Sequence, residues 1–452
     1  MDEPLTIEEL SARTGEPADE LRRWASLGLI GAGDDRTFRL EDLDRARLVQ
    51  LLLRRGIALD VIVETERRSP FLALDAGRTF PRHEGPTFSL AEAAEQAGLE
   101  VEVAQRFWQS GDLGDESELD QDDIAMLRTL RSALDAGFPV EALFQLFRVY
   151  ADSLERLAEA NTRAFHFYIH EPLRAAAESV DEIRMPTQAL SDQLWPLVEP
   201  ALLYFYRKGQ DKAQRDDLVM HVAEEAGLIA FPEAPGQMTR ALVFTDLASF
   251  TPLTDAMGDQ EAAAVVERFS LLVRESTNRW DGRVVKQMGD AFMLAFSDAK
   301  AAVCCALAIE SDTATEAQFP AARSGVHYGE VLYREGDYVG TNVNIASRVA
   351  GEAERHQVLV TAAARKQAGS IPGIEFARLG KRRLRGLAED VDLFEARSGA
   401  PGRGQKSIDP VCGMELGPEE PAARLTLDGQ ERAFCSDECL RRFVAAPERY
   451  AT

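Results

Sequence analysis

The sequence predicts a multidomain α+β protein. Its N-terminal half is predicted to be all-α, with winged-helix-like repeats, and is followed by an α/β domain and a small cysteine-containing module. Three observations support this division. A repeat fills much of the first third of the chain, the apolar pattern changes from helical to alternating strands and helices after "AFPEAPGQ" (230–237), and three of the five cysteines follow residue 400.

The composition is that of a globular protein, with 45% hydrophobic and 28% charged residues among 452. This length exceeds one ordinary core, so several domains are expected. The net charge of −25 argues against broad binding to nucleic acid or anionic lipid. No apolar run approaches the roughly 20 residues that span a bilayer, and the acidic N-terminus lacks the apolar core of a secretory signal. We therefore expect a cytoplasmic protein with no membrane partner.

The repeat pairs "LTIEELSARTGEPADELRRWASLGLI" (5–30) with "FSLAEAAEQAGLEVEVAQRFWQSGDL" (88–113). Gly15 matches Gly98 at the same offset as the other matched positions. Each unit is predicted to hold a short helix, a glycine turn, a second helix and a longer amphipathic helix. The first unit, residues 1–68, resembles a MerR-type winged helix-turn-helix through "IEELSARTG", "LRRWASLGLI", "FRLEDLDRARLV" and "RRGIALDVI".

A MerR-type domain places its second helix in the DNA major groove. Here that helix is "EPADELRRWAS", which offers Arg22 and Arg23 but also Glu16, Asp19 and Glu20. Because an acidic recognition helix is a poor ligand for DNA at physiological salt, we favour a helix-turn-helix kept for protein contacts over one that binds DNA.

Two aspartates follow strand-like segments in the α/β part. Asp246 ends "ALVFTD", and Asp290 lies at the corner of a predicted hairpin, "VVKQMGDAF" (284–292). Carboxylates at the ends of neighbouring strands can converge, and such hard oxygen ligands suit Mg²⁺ or Mn²⁺. Taken singly, each aspartate is more simply a solvated turn or strand-end residue.

The segment "GDYVGTNVNIASRVA" (336–350) carries Asp337, Asn344 and Arg348, the last two on one face of a predicted helix. "FTDLASFT", "VVKQMGDAFMLAF", "DYVGTNVNIASR" and "RRLRGL…DLFEA", in this order, resemble the signatures of class III nucleotide cyclases. The resemblance covers residues 238–398. It implies a ferredoxin-like α/β catalytic domain that works as a head-to-tail homodimer.

The resemblance also assigns roles. Asp246 and Asp290 would bind two ions of Mg²⁺ or Mn²⁺ per active site. Lys286 and Asp337 would contact the base, and their chemistry favours ATP. A lysine can donate to N1 of adenine and a carboxylate can accept from its 6-amino group, whereas guanine reverses both requirements.

Three further residues would contact the rest of the substrate. Asn344 would position the ribose, and Arg348 would stabilise charge developing at the α-phosphate. Arg385 stands where the family usually has a lysine that holds the terminal phosphates. Because arginine has a planar guanidinium group, the role of that lysine applies to Arg385 less directly.

Residues 88–230, a mainly helical stretch after a linker at 69–87, resemble the helical regulatory domain of some actinobacterial-type cyclases, which is associated with autoinhibition and an acid-pH response. His166 and His170 lie four apart in "AFHFYIHEP". Because histidine titrates near neutrality, their protonation is a candidate regulatory switch. Two partly buried helix residues are an equally good interpretation.

The tail, residues 408–452, resembles a YHS domain through "DPVCGMEL" and "RAFCSDECLRRFVAAPERY". Cys412, Cys435 and Cys439 could supply three thiolates to Zn²⁺ or Cu⁺. No histidine follows residue 400, so no fourth ligand is evident. A soft-metal site and a thiol-bearing structural module therefore both stay open.

These observations together predict a dimeric adenylate cyclase that converts ATP into 3′,5′-cyclic AMP and pyrophosphate and is regulated by its N-terminal helical domains. The alternative is a MerR-type DNA-binding regulator whose cyclase-like domain senses nucleotide without catalysis. A metal-responsive scaffold is a third class, which rests on the tail alone.

Overall fold

A computed structural model of the chain describes residues 5–31, 37–68, 70–72, 76–77, 86–114, 119–176, 180–227, 231–387, 389–399 and 406–450. The chain forms two compact units, residues 1–216 and 217–452, each of which is described here by itself. Three segments lie partly outside the described residues. They are "GAGDDRTFRLED" (31–42), the wing in the MerR-type resemblance, the predicted linker at 69–87, and "RSGAPGRGQKS" (397–407), whose polar composition predicts a second linker. The predicted multidomain α+β fold is confirmed.

The predicted repeat is present in the first unit. Its helices are α1 (Ile7–Thr14), α2 (Ala18–Ser26), α3 (Leu40–Arg54) and α4 (Leu59–Arg68), then α5 (Leu90–Ala97), α6 (Val101–Ser110) and α7 (Gln121–Asp135). Thr6 with Glu9 forms a capping box at α1, and Ser89 with Glu92 forms one at α5. The same sequence signal therefore begins both repeats.

Long helices complete this part of the chain. They are α8 (Val140–Phe165), α9 (Glu171–Ala176), α10 (Val180–Leu194) and α11 (Val198–Glu225), the last of which continues into the second unit. Between α8 and α9 the backbone forms a π-helical turn, His166–His170. Such turns are rare and occur often at functional sites.

The second unit is organised by one eight-stranded sheet. Its strands are β1 (Gln237–Leu247), β2 (Arg283–Met288), β3 (Ala291–Phe296), β4 (Ala322–Arg334), β5 (Asp337–Val339), β6 (Val358–Thr361), β7 (Ile374–Arg382) and β8 (Val391–Ser398). The strand order is β2-β3-β1-β4-β6-β8-β7, with β5 paired to β4. The first four strands are antiparallel neighbours in the ferredoxin-like order that the sequence resemblance implies.

Helices cover both faces of this sheet. They are α12 (Phe250–Met257), α13 (Asp259–Arg279), α14 (Ala299–Thr315), α15 (Thr341–Glu352) and α16 (Ala362–Ala368). Residues of α13, α14 and α16 join one buried cluster, and α15 packs on the other face. Gly325 of β4 fixes the position of α15, because a Cβ there would lie 2.2 Å from the backbone nitrogen of Ala350.

The cysteine-containing tail forms a small module after β8. It contains β9 (Ser407–Ile408), β10 (Glu415–Leu416), β11 (Ala423–Leu427), β12 (Gln430–Phe434) and α17 (Asp437–Ala445). Its buried residues, among them Phe434 and Phe443, belong to the same apolar cluster as Phe269 and Phe296 of the sheet domain. The module therefore shares a core with the sheet domain.

A search of the described residues for membrane-spanning segments found no helix with the length and apolar character that crossing a bilayer requires.

Candidate active site

The two predicted metal-binding aspartates lie next to each other. Asp246 is the penultimate residue of β1, and Asp290 is in the tight turn between β2 and β3, as the sequence predicts. The backbone N–H of Leu247 donates to Oδ2 of Asp290 at 3.3 Å. Burial raises the pKa of Asp290, and the negative charge of Asp246 raises it further. A pair of carboxylates that repel each other has the donor chemistry that a divalent cation requires.

Arg323 neutralises part of this charge. Its guanidinium donates to both carboxylate oxygens of Asp246, with distances of 2.5 Å from Nε and 3.0 Å from Nη2. The positive charge of Arg323 also lowers the pKa of Asp290, against the larger effect of burial. The sequence analysis missed this residue, although Arg323 pairs with Asp246 in the register of β1 and β4. A charged side chain at the start of the apolar strand "AARSGVHYG" (321–329) was the available signal.

The two predicted base-binding residues are bonded to each other. The ammonium group of Lys286, on β2, forms an ion pair with Oδ2 of Asp337, the first residue of β5. The other carboxylate oxygen of Asp337 accepts from the backbone N–H of Tyr338 at 2.8 Å. Arg283 strengthens this junction by donating to the carbonyl of Gly336 at 3.0 Å. The donor and the acceptor are thus held together before any ligand binds.

Asn344 and Arg348 are exposed and lie one turn apart on α15, as predicted. Arg385 is exposed in the connection between β7 and β8. Among the described residues, no hydrogen bond or ion pair joins the group of Asp246 and Asp290 to these side chains. Within the described residues, the predicted site residues therefore form two groups that no hydrogen bond or ion pair connects.

A second candidate site lies in the C-terminal module. The Sγ atoms of Cys412 and Cys435 are 3.5 Å apart, and those of Cys435 and Cys439 are 3.7 Å apart. An oxygen of Asp409 joins them, and all four ligand atoms lie within 4.8 Å of one another. Hydrogen bonds from the thiols of Cys412 and Cys435 lower the pKa of Cys439, so the cluster favours a thiolate. We call these four residues the thiol cluster.

Asp409 is the residue of this cluster that the sequence analysis missed, because the search for a fourth ligand considered histidine. It is fully buried. Its Oδ1 accepts the backbone N–H of Val411 at 2.8 Å, and its Oδ2 accepts that of Cys435 at 2.8 Å. The carboxylate therefore ties together the two segments that carry the cysteines.

Comparisons with known proteins assign these parts of the chain. Residues 235–394 match the adenylate and guanylate cyclase catalytic domain, residues 33–208 the adenylate cyclase regulatory domain, and residues 407–452 the YHS domain. A pH-sensitive adenylate cyclase of Mycobacterium tuberculosis is 31% identical over 376 residues, which cover 79% of this chain and 89% of that protein. The chain belongs to the class III adenylate cyclases.

Two other similar proteins extend the comparison. An adenylate cyclase of Streptomyces coelicolor is 30% identical over 276 residues, which cover 60% of this cyclase and 69% of that protein. A solved adenylate cyclase structure from Trypanosoma brucei, described in its monomeric state, has 22% identity and a TM-score of 0.35 over 41% of this chain and 96% of that one. The regulatory-domain match begins at residue 33, inside the segment with the MerR-type resemblance, which itself stays a prediction.

The two regulatory candidates of this cyclase lie in the π-helical turn. The rings of His166 and His170 are stacked, with centroids 5.3 Å apart and an interplanar angle of 17°. Nε2 of His166 lies 3.3 Å from a carboxylate oxygen of Glu171. Residues four apart lie about one turn apart on a helix, so the two rings project from the same face.

Replacing Arg323 would leave Asp246 and Asp290 without the guanidinium group that partly neutralises their charge. We expect Arg323→Gln to lower the free energy of unfolding by about 1–3 kcal/mol in the presence of EDTA. Chemical denaturation would measure this change, and excess Mn²⁺ should restore more stability to the variant than to the wild type. Arg274→Gln, a change at an exposed arginine of α13, is the control. Equal losses in the two variants would contradict the role of Arg323.

Proposed function

We propose that this chain converts ATP into 3′,5′-cyclic AMP and pyrophosphate at the interface of a homodimer. The observation that carries the proposal is the separation of two complementary groups in one chain. The carboxylates of Asp246 and Asp290 lie together, and among the described residues no hydrogen bond or ion pair joins them to the bonded pair of Lys286 and Asp337 or to the exposed side chains of α15. A head-to-tail dimer would bring the first group of one subunit to the second group of its partner.

In this proposal Asp246 and Asp290 hold two ions of Mg²⁺ or Mn²⁺. Their donor set fits these ions, because both are half-buried oxygen ligands whose mutual repulsion is only partly neutralised by Arg323. The bound ions would supply activation of the ribose 3′-hydroxyl and neutralisation of phosphate charge.

Lys286 and Asp337 would select the base. The ammonium group donates to N1 of adenine, and the carboxylate accepts from the 6-amino group. Their contact within the chain supports this role, because a pair that is already aligned loses little conformational freedom when the base binds.

Asn344 would hold the ribose and Arg348 the charge that develops on the α-phosphate. Arg385 would contact the terminal phosphates as a cation with a planar fork. The exposure of all three side chains supports roles in an active site completed by a second subunit.

A mixing experiment tests catalysis and the shared active site together. Asp246→Ala and Arg348→Ala should each be inactive with ATP and Mn²⁺. An equal mixture should recover about a quarter of wild-type activity, because half of the dimers are mixed and each mixed dimer contains one intact site. Cyclic AMP formation is the measurement. An inactive mixture of chains that are shown to exchange subunits would exclude the shared site.

The N-terminal helical domains would regulate this activity, with protonation of His166 and His170 as one input. The stacked rings and the nearby Glu171 support that role, because a positive charge on one ring would be attracted by Glu171 and would disfavour a second charge on the ring stacked against it. The alternative function, a DNA-binding regulator with a silent cyclase-like domain, is less well supported, because the chain keeps the metal, base, ribose and transition-state residues of the catalytic resemblance, namely Asp246, Asp290, Lys286, Asp337, Asn344 and Arg348. Salt-dependent DNA binding by the full chain would favour that alternative.

The thiol cluster would hold one Zn²⁺ or Cu⁺ ion. Tetrahedral zinc with Zn–S bonds of about 2.3 Å requires sulfur atoms about 3.8 Å apart. The separations of 3.5 Å and 3.7 Å are close to that spacing. The buried, soft donor set supports a thiophilic ion over Mg²⁺ or Ca²⁺.

A further inference from the structure

The loop that carries Cys412 also contacts the sheet domain. In this loop, residues 409–415, Gly413 has a φ of 74°, and a Cβ added to it would lie 2.7 Å from Cβ of Ser249. Only glycine fits there without displacing the neighbouring segment. The loop also ends at Glu415, which is buried and lies 3.7 Å from Nε of Arg355. Cys412 of the thiol cluster is thus next in the chain to Gly413, which packs closely against the side chain of Ser249 in the sheet domain.

Arg355 connects the two sides of this contact. Its Nη2 donates to the carbonyl of Gly413, and its Nη1 donates to Oγ of Ser249 at 3.1 Å. The side chain is only 24% exposed, so water competes weakly for these hydrogen bonds. One guanidinium therefore holds the cysteine loop and Ser249 in a fixed relation.

Ser249 belongs to the segment that holds the catalytic carboxylates. It lies three residues after Asp246 and has a φ of 65°, which is strained for a residue with a Cβ, directly before α12. Two residues earlier, the backbone N–H of Leu247 donates to Asp290. A displacement of Ser249 would therefore shift Asp246 through the backbone and Asp290 through its hydrogen bond to Leu247.

We propose that the thiol cluster is an effector site for one thiophilic metal ion, and that occupancy of this site activates the cyclase through Gly413, Arg355 and Ser249. The ion joins Cys412 to Cys435 and Cys439 and so fixes the loop at 409–415. The fixed loop holds Ser249 in its strained conformation, which keeps the segment 246–250 ready to bind the catalytic ions. This inference rests on the proposed function of Asp246 and Asp290.

The strength of the effect follows from linkage. An ion that binds more tightly when Ser249 is held must, in return, favour the held conformation. Couplings of this kind change affinities by about 5–150-fold. We therefore expect cyclase activity at limiting Mn²⁺ to rise about fivefold or more when the cluster is filled.

The test uses the full chain, reduced and free of metal. Zn²⁺ is titrated against a chromophoric chelator, and Cu⁺ is titrated anaerobically against a Cu⁺ chelator, so that the two arms identify the ion. The wild type should bind one ion per chain. Cys412→Ser should weaken binding at least about 100-fold, since even the loss of an outer-shell partner can cost that much. Cys304→Ala, on α14, is the matched control and should bind as the wild type does.

Coupling is measured by hydrogen–deuterium exchange of peptides that contain 246–250, alongside cyclic AMP formation. The ion should slow exchange there in the wild type and in Cys304→Ala, but not in Cys412→Ser. Arg355→Gln should bind the ion normally and lose the exchange response. This variant separates the coupling from the site itself, and it keeps the proposal testable if Cys412→Ser does not fold.

Three results would overturn the proposal: no ion bound by the wild type, an ion bound with unchanged exchange at 246–250, or an equal response in Cys412→Ser. The last result would mean that the ion acts at Asp246 and Asp290. A wild type that binds the ion and shows the exchange response but forms no cyclic AMP would refute the proposed function and leave the coupling intact.

Discussion

Asp290→Asn is expected to reduce cyclic AMP formation by at least about 1,000-fold and, at the same time, to stabilise the fold. Loss of activity follows because metal-ion catalysis contributes several kcal/mol to such reactions. Stabilisation follows because burial raises the pKa of Asp290, so the ionised carboxylate opposes folding. The neutral amide keeps the shape of the side chain without the charge.

The sign of this effect gives a pH test. A carboxyl group whose pKa is raised in the folded state stabilises the fold while it is protonated, and this contribution is lost as the pH rises through the folded pKa. In EDTA, the thermal midpoint of the wild type should therefore fall relative to that of Asp290→Asn as the pH rises above the ordinary carboxyl pKa of about 4. Asp281→Asn, at an exposed turn before β2, is the control and should change neither property. A pH-independent difference would contradict the electrostatic explanation.

Exchanging the base-binding pair is expected to produce the second-largest effect. Lys286→Glu combined with Asp337→Cys should lower the ratio of kcat/KM for ATP to that for GTP by at least about 100-fold. The reason is that each mismatched polar group costs roughly 1–3 kcal/mol when it is buried against the wrong base. Guanine presents an acceptor at O6 and a donor at N1, which the new side chains match. Initial rates with each nucleotide measure the ratio.

Each single variant should lose activity with ATP without gaining activity with GTP. The remaining original side chain still places a donor against a donor of guanine, or an acceptor against an acceptor. Lys366→Glu reverses a charge on the exposed face of α16 and is the control for the change in net charge that Lys286→Glu makes. Unchanged selectivity in the double variant would show that Lys286 and Asp337 only support the junction of β2 and β5.

The sequence predicted the parts of the site that depend on local pattern. The position of Asp290 at a hairpin corner was predicted because Met-Gly-Asp interrupts an apolar run, and such a corner is fixed by neighbouring residues. Asn344 and Arg348 were found because helical spacing puts them on one face. Arg323 was missed because its role depends on the register between β1 and β4, which pairs it with Asp246, 77 positions earlier in the chain.

Two other features also lay beyond local pattern. Asp409 accepts hydrogen bonds from three backbone N–H groups and so holds the cysteine segments in place. The residue types in the sequence do not reveal which N–H groups will surround a carboxylate. The turn at His166–His170 was predicted as ordinary helix, since nothing in its side chains distinguishes a π-helical turn from an α-helical one. In both cases the tertiary structure decides what the sequence leaves open.

The apolar cluster that Phe434 and Phe443 share with the sheet domain has a consequence for how the protein unfolds. Two neighbouring domains with separate cores melt independently, whereas elements built around one core melt together. We therefore expect the C-terminal module and the sheet domain to unfold in a single cooperative transition. The C-terminal module, which matches a domain family of its own, would then fold only together with the sheet domain. A chain that ends at residue 400 would have a less stable sheet domain than the full chain.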